Sequence, residues 1–139
     1  MTAAVVPVDQ PTGDHWEAVA APLRAYNERH GPPMRARPLA VLLRDEAGVV
    51  VGGLWAETLY DWMFVEALTV PETLRGQGLG ARLMAEAEAI ARDRDCVGAW
   101  LDTFAFQSPG FYERLGYEAF GQLDDHPAGS ARIFMRKQL

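Results

Sequence analysis

Residues 62–80, WMFVEALTVPETLRGQGLG, constrain this chain more than any other stretch. An apolar run of strand type leads into a short loop that ends in Arg75-Gly76-Gln77-Gly78-Leu79-Gly80, and an amphipathic pattern follows at once. Glycine lets a backbone come close to a ligand, and a helix N-terminus aims unpaired N–H groups at whatever sits there. That end of a helix carries roughly +0.5 of an elementary charge. Strand, glycine loop and helix in this order therefore predict a site for an anion such as a pyrophosphate.

The 139 residues suit one domain with a sizeable core, and 1–139 reads as a single unit. No apolar run approaches the roughly 18 residues of a membrane span, and MTAAVVPVDQ has no basic region ahead of an apolar one. The reading is of a cytoplasmic protein with no membrane partner. Cys96 is the only cysteine, so no intrachain disulfide forms, and a lone buried thiol suits a reducing compartment. A net charge of −6 argues against nucleic acid, whose binding rests on clustered positive charge. It is compatible with a cationic substrate. No His/Cys cluster points to a metal.

Along the chain, Val5–Val8 has the character of a short first strand. Thr12 or Asp14 is placed to cap a helix over His15–Arg29, with Trp16, Val19, Ala20 and Leu23 at helical spacing. GPPMRARP at 31–38 cannot continue a helix. Strands are expected at Leu39–Arg44, Val49–Thr58 and Trp62–Val70, with turns at Asp45–Gly48 and near Tyr60-Asp61. The near-continuous apolar character of Trp62–Val70 predicts a central strand covered on both faces. Gly78–Arg92 reads as a helix with a buried stripe of Leu79, Leu83, Ala87, Ile90 and Ala91. Ala99–Thr103 is a short buried strand, Ser108–Leu115 a short helix stopped by Gly116, and Tyr117–Leu123 with Ala131–Arg136 a closing pair. The pattern is α/β: a mixed, mostly antiparallel sheet with a strand–helix–strand unit in the middle.

Three phosphate-binding readings compete for the glycine loop. A P-loop needs Lys-Ser or Lys-Thr after its glycines, and here Ala81-Arg82 follows Gly80. A dinucleotide-binding fingerprint fits formally, since Gly76, Gly78 and Ala81 match G-x-G-x-x-A and Asp102 ends a strand about 20 residues on. Against it, the five residues Pro71–Arg75 separate strand from glycine, and fewer than 40 residues follow Asp102. The third reading takes in more of the chain. Arg75-x-x-Gly78-x-Gly80, the strand ending Leu68-Thr69-Val70-Pro71, and Phe111-Tyr112-Glu113-Arg114-Leu115-Gly116-Tyr117 stand in the order and spacing of one superfamily. They resemble the acyl-CoA loop, the fourth strand and the late tyrosine helix of the GNAT N-acetyltransferases, from Leu39 onward.

The resemblance implies a GNAT-like fold of about seven strands flanked by helices. It implies acetyl-CoA as co-substrate and acetyl transfer to a primary amine of a small molecule or peptide. A non-catalytic acyl-CoA-binding domain is the alternative from another class. Pantetheine would pair with backbone near Leu68, Thr69 and Val70, as an added strand does. The pyrophosphate would sit on amides of Gly76, Gln77, Gly78, Leu79, Gly80 and Ala81, with Arg75, and Arg82 one turn on, as charge-assisted contacts. Tyr112 resembles the family tyrosine that protonates the leaving thiolate or hydrogen-bonds its sulfur. Where the family often has asparagine before that helix, this chain has Gln107-Ser108-Pro109. A homodimer is a further expectation from the family.

The acceptor amine, with a pKa of ~10.4, needs ~4.6 kcal/mol to reach its neutral form at pH 7, so a base is required. Glu66 is the only charge in the apolar 62–70 run, where partial desolvation favours the protonated form. A two-residue period puts it on one face with Phe64, Leu68 and Val70. Asp102, at the end of the next strand, is the competing base. His126, in Asp124-Asp125-His126-Pro127, reads as a solvated loop histidine.

Overall fold

A computed structural model describes residues 1–139, which divide into two compact units, Met1–Met34 and Arg35–Leu139. In the first unit, α1 spans Gly13–His30 and starts at Thr12, whose backbone N–H donates to His15 Nδ1 at 2.9 Å. Pro22 lies inside this helix, and none of its residues is buried. The first strand expected at Val5–Val8 does not form. Those valines are exposed and pair with nothing, because an apolar triplet makes a strand only where a partner supplies the hydrogen bonds.

The second unit is a six-stranded sheet rather than one of about seven, in the order β1-β2-β3-β4-β6-β5. Its strands are β1 (Arg37–Arg44), β2 (Val50–Leu59), β3 (Trp62–Thr69), β4 (Gly98–Phe104), β5 (Glu118–Asp124) and β6 (Ala131–Gln138). Helix α2 (Leu79–Asp93) connects β3 to β4, and α3 (Pro109–Arg114) leads from β4 to β5. Every neighbouring pair is antiparallel except β3 with β4. The turns follow from their residues. Asp45 Oδ1 accepts from the N–H groups of Ala47 and Val49, and Gly48 supplies a φ of +80°. Tyr60 and Asp61 both have positive φ, as a two-residue hairpin of twist-matched hand requires.

One sheet face carries Leu54, Ala56, Met63, Val65, Ala99, Leu101 and Met135, all buried. Helix α2 closes that core with Leu83, Met84, Ala87 and Ala91. The fifth buried residue of α2 is Glu88, whose carboxylate accepts from the Tyr117 hydroxyl at 2.9 Å and from Lys137 Nζ at 2.8 Å. The expected double coverage of β3 is not found. Phe64 and Trp62 are only partly buried and Glu66 is exposed, because α2 and the side chains of α3 pack on the core face alone.

Two irregularities set up the site. Strands β3 and β4 pair over only four residues, Trp62–Val65 with Gly98–Leu101, and then part. On its other side β3 pairs Val65 with Ala56 and Ala67 with Trp55, so Glu66 is an extra residue with no partner, a β-bulge. Beyond it β3 stays with β2, while Asp102–Phe104 of β4 stay with β6. A gap opens between the two central strands.

Candidate active site

The gap leads into a cavity of about 1080 Å³. Its first wall is β3 from Val65 to Thr69 with Val70 just beyond it, and its second is Leu101, Asp102 and Thr103 of β4. The floor is the glycine loop with the start of α2, and Phe111, Tyr112 and Arg114 of α3 complete the lining. Of the residues expected to hold the cofactor, Leu68, Thr69, Val70, Arg75, Gly76, Gly78, Leu79, Gly80 and Ala81 line this space. Gln77 and Arg82 are exposed and outside the lining.

The loop is built as a cradle. Gly76 and Gly78 have φ of +79° and +75°, and a Cβ on either would meet nothing within 4 Å. The space beside them is therefore open to a ligand. Gly78 caps α2 with no side-chain hydrogen bond, and the first helical bond runs from Arg82 N–H to Gly78 O. The amides from Gly76 to Ala81 donate to no backbone carbonyl. They stand at the positive end of a 15-residue helix. Arg75 is fixed by its Nε–H donating to Val70 O at 3.1 Å and makes no ion pair, so its charge is uncompensated. These groups fit a diphosphate.

Tyr112 is half-buried, edge-on to Phe111 with ring centroids 5.0 Å apart and to Tyr117 at 6.1 Å. Its hydroxyl has no partner within the chain, although it belongs to the cavity lining. Burial, and next the charge of Asp102, push the Tyr112 phenol above its usual pKa. It stays protonated through neutral pH and can donate.

The two carboxylates expected near the reaction both line the cavity, in different states. Asp102 is held by Arg132 through two contacts of 2.8 Å, Nε to Oδ1 and Nη2 to Oδ2. Glu66 has no ion pair and no hydrogen bond to the chain. Two expectations about Glu66 are corrected. It is exposed rather than desolvated. It does not share a face with Leu68 and Val70, which pack against the core while Phe64 stacks on Trp100 across the sheet. The bulge causes the second, since one inserted residue reverses the alternation beyond it, and the first follows from the uncovered face opposite the core.

Reading the sequence missed other parts of the lining. Leu74, Phe106 and Arg114 belong to it, and nothing in their spacing marked them. Gln107, at the position where the family often has asparagine, accepts with Oε1 from Phe104 N–H at 2.9 Å and from Thr103 Oγ1 at 3.2 Å. Its amide nitrogen remains free. His126 lies edge-on to Phe104 and is exposed. A smaller hollow of about 190 Å³ is lined by residues that include Arg35, Arg37, Thr58, Asp61 and Arg94. There Arg94 donates to Arg37 O, Pro38 O and Thr58 Oγ1, and Arg35 pairs with Asp61.

Residues 9–117 match the model of the acetyltransferase (GNAT) family. The blasticidin-S acetyltransferase of Streptomyces morookaense is 41% identical over 115 residues, covering 80% of this chain and 85% of its own. A crystal structure of a protein from Agrobacterium tumefaciens assigned as an acetyltransferase is 34% identical and superposes with a TM-score of 0.92, over 99% of this chain and 100% of that one. The fold extends to a protein of Bacillus anthracis assigned as a streptothricin acetyltransferase and crystallised with acetyl coenzyme A. It is 23% identical with a TM-score of 0.62, covering 82% of this chain and 68% of that one. Strand gap, glycine cradle, tyrosine helix and these likenesses agree: the chain belongs to the GNAT family of acetyltransferases.

Proposed function

We propose that this protein transfers an acetyl group from acetyl-CoA to a primary amine of a small molecule by direct attack. The observation that carries this reading is one cavity lined both by the uncapped amides of the glycine loop and by Tyr112 and Glu66. The acetyl-CoA in the Bacillus anthracis neighbour supports the donor. The blasticidin-S acetyltransferase supports a small-molecule acceptor over a peptide.

In this reading the amides of Gly76 to Ala81 and the Arg75 guanidinium bind the diphosphate. The backbone of Leu68, Thr69 and Val70 pairs with pantetheine. The thioester supplies an electrophilic carbonyl carbon. Glu66, directly or through a water, takes a proton from the substrate ammonium so that the nitrogen attacks. As the new C–N bond forms and the C–S bond breaks, the nitrogen sheds its second proton to solvent, while Tyr112 gives its proton to sulfur and regains one from solvent. The products are the N-acetyl amine, CoA thiol and one proton. Asp102 is the weaker base, because Arg132 already engages both of its oxygens.

The proposal places 1–139 in the cytoplasm as one acetyltransferase domain, in keeping with the reduced, buried Cys96. No helix is long and apolar enough to cross a membrane. We extend the proposal to a homodimer, since α1 exposes Trp16, Val19, Leu23 and Tyr26 and contiguous exposed apolar side chains mark contact surfaces. Sedimentation equilibrium checks the dimer. Release of CoA thiol from acetyl-CoA with a panel of primary amines tests the activity. Binding of acetyl-CoA without release from any amine overturns it.

A further inference from the structure

The face of the sheet opposite the core carries a repeated pair of side chains. On three neighbouring strands an aromatic residue is followed two positions later by a carboxylate: Trp55 and Glu57 on β2, Phe64 and Glu66 on β3, Trp100 and Asp102 on β4. The register aligns Glu57 with Phe64 and Phe64 with Trp100, so one row across the strands reads carboxylate, ring, ring. Phe64 and Trp100 stack with centroids 4.2 Å apart and planes 24° apart. Trp55 is 51% exposed.

The opposite face of the same three strands buries Leu54, Ala56, Met63, Val65, Ala99 and Leu101 with Thr58 and Thr103 and no aromatic ring, so these rings are not needed to fill the core. The charges are not balanced within the chain either. Asp102 is neutralised by Arg132, whereas Glu57 is half-buried and Glu66 exposed, and neither makes an ion pair. A partly buried carboxylate without a partner calls for a cation. The face is continuous with the active-site gap, because Glu66 and Asp102 belong to both.

We propose that this face recognises the acceptor, and that the acceptor is a flat, conjugated ring bearing a second cationic group besides the amine that is acetylated. The ring stacks on the exposed side of the Trp55, Phe64 and Trp100 surface. The second cation sits against Glu57, where carboxylate and aromatic faces act together. This deepens the acetyl-transfer reading and rests on it.

The test compares three amines in thiol-release kinetics with saturating acetyl-CoA. 1,4-Bis(aminomethyl)benzene has a ring and two cations, benzylamine a ring and one cation, and 1,6-diaminohexane two cations and no ring. The expected result is a kcat/KM for the first at least tenfold above each of the others, expressed mainly in KM. Glu57→Gln should lower its advantage over benzylamine to within threefold. Trp55→Leu, at a half-exposed position where no cavity is left, should lower its advantage over diaminohexane. Acetyl-CoA affinity by titration calorimetry should be the same in all three proteins. Equal kcat/KM for the three amines, or equal losses on all of them in the variants, overturns the acceptor class while leaving acetyl transfer standing. Failure to bind acetyl-CoA, or binding with no thiol release from any amine, overturns the parent reading and this one with it.

Discussion

At the scale of single residues, the site separates two carboxylates by what surrounds them. Both oxygens of Asp102 accept from Arg132, so protonating it would break an ion pair, while Glu66 gives up no contact when it gains a proton. Glu66→Gln is therefore expected to lower kcat/KM by about 10²-fold and to remove the low-pH limb of the rate profile. Retention of that limb assigns the base elsewhere. Tyr112 has the opposite sign. Its phenol lies above the usual value through burial and the Asp102 charge, so the donor form persists to alkaline pH. Tyr112→Phe should lower kcat by about 10²-fold and abolish whatever high-pH limb the wild type shows, with acetyl-CoA affinity little changed. Unchanged turnover in that variant excludes Tyr112 as the acid.

At the scale of elements, the site depends on a strand that bulges and a helix that starts on glycine. Gly78 adopts φ +75°, so Gly78→Ala should cost about 1–2 kcal/mol of stability through backbone strain. Its added methyl meets no atom of the chain. A loss of acetyl-CoA affinity of tenfold or more, measured by calorimetry, would come from the methyl and the displaced amides. Equal affinity in the two proteins would reduce the glycine to a turn residue. The loop, its helix and the tyrosine helix were legible because each is marked by residues with special backbone demands. The bulge at Glu66 was not. Met63, Phe64 and Val65 are all apolar, so the sequence has no alternation there from which a slip could be noticed. Glu88 was overlooked for the opposite reason. It stands four residues after Met84 and three before Ala91, squarely on the buried stripe, where a charged residue type ordinarily marks a solvated position. Val5–Val8 had the composition of a strand, but composition does not supply a partner.

At the scale of the molecule, Glu88 joins parts of the chain that are distant in sequence. It lies on α2, accepts from Tyr117 just ahead of β5, and pairs with Lys137 of β6. Tyr112 leans edge-on against the same Tyr117, so the candidate acid rests on a charged group buried in the core. This arrangement has a pH signature. Burial first, and then the charge and hydrogen bond of Glu88, push the Tyr117 phenol far above its usual value. A group whose folded pKa exceeds its unfolded value, about 10 for tyrosine, contributes stability fully present below that value and lost as pH rises toward the folded one. Tyr117→Phe removes the hydroxyl that donates to a carboxylate, and should cost about 1.5–3 kcal/mol between pH 7 and pH 9. Above about pH 10 the wild type alone must hold a phenol proton against the solvent, so the gap between the two proteins should narrow. Lys137 faces Glu88 in both proteins and cancels in the difference. Urea unfolding of the pair from pH 7 to pH 11.5 measures the gap directly. If it stays constant across the range, the Tyr117 hydroxyl keeps its proton equally well in the unfolded chain, and the Glu88 contact does not link this core to pH.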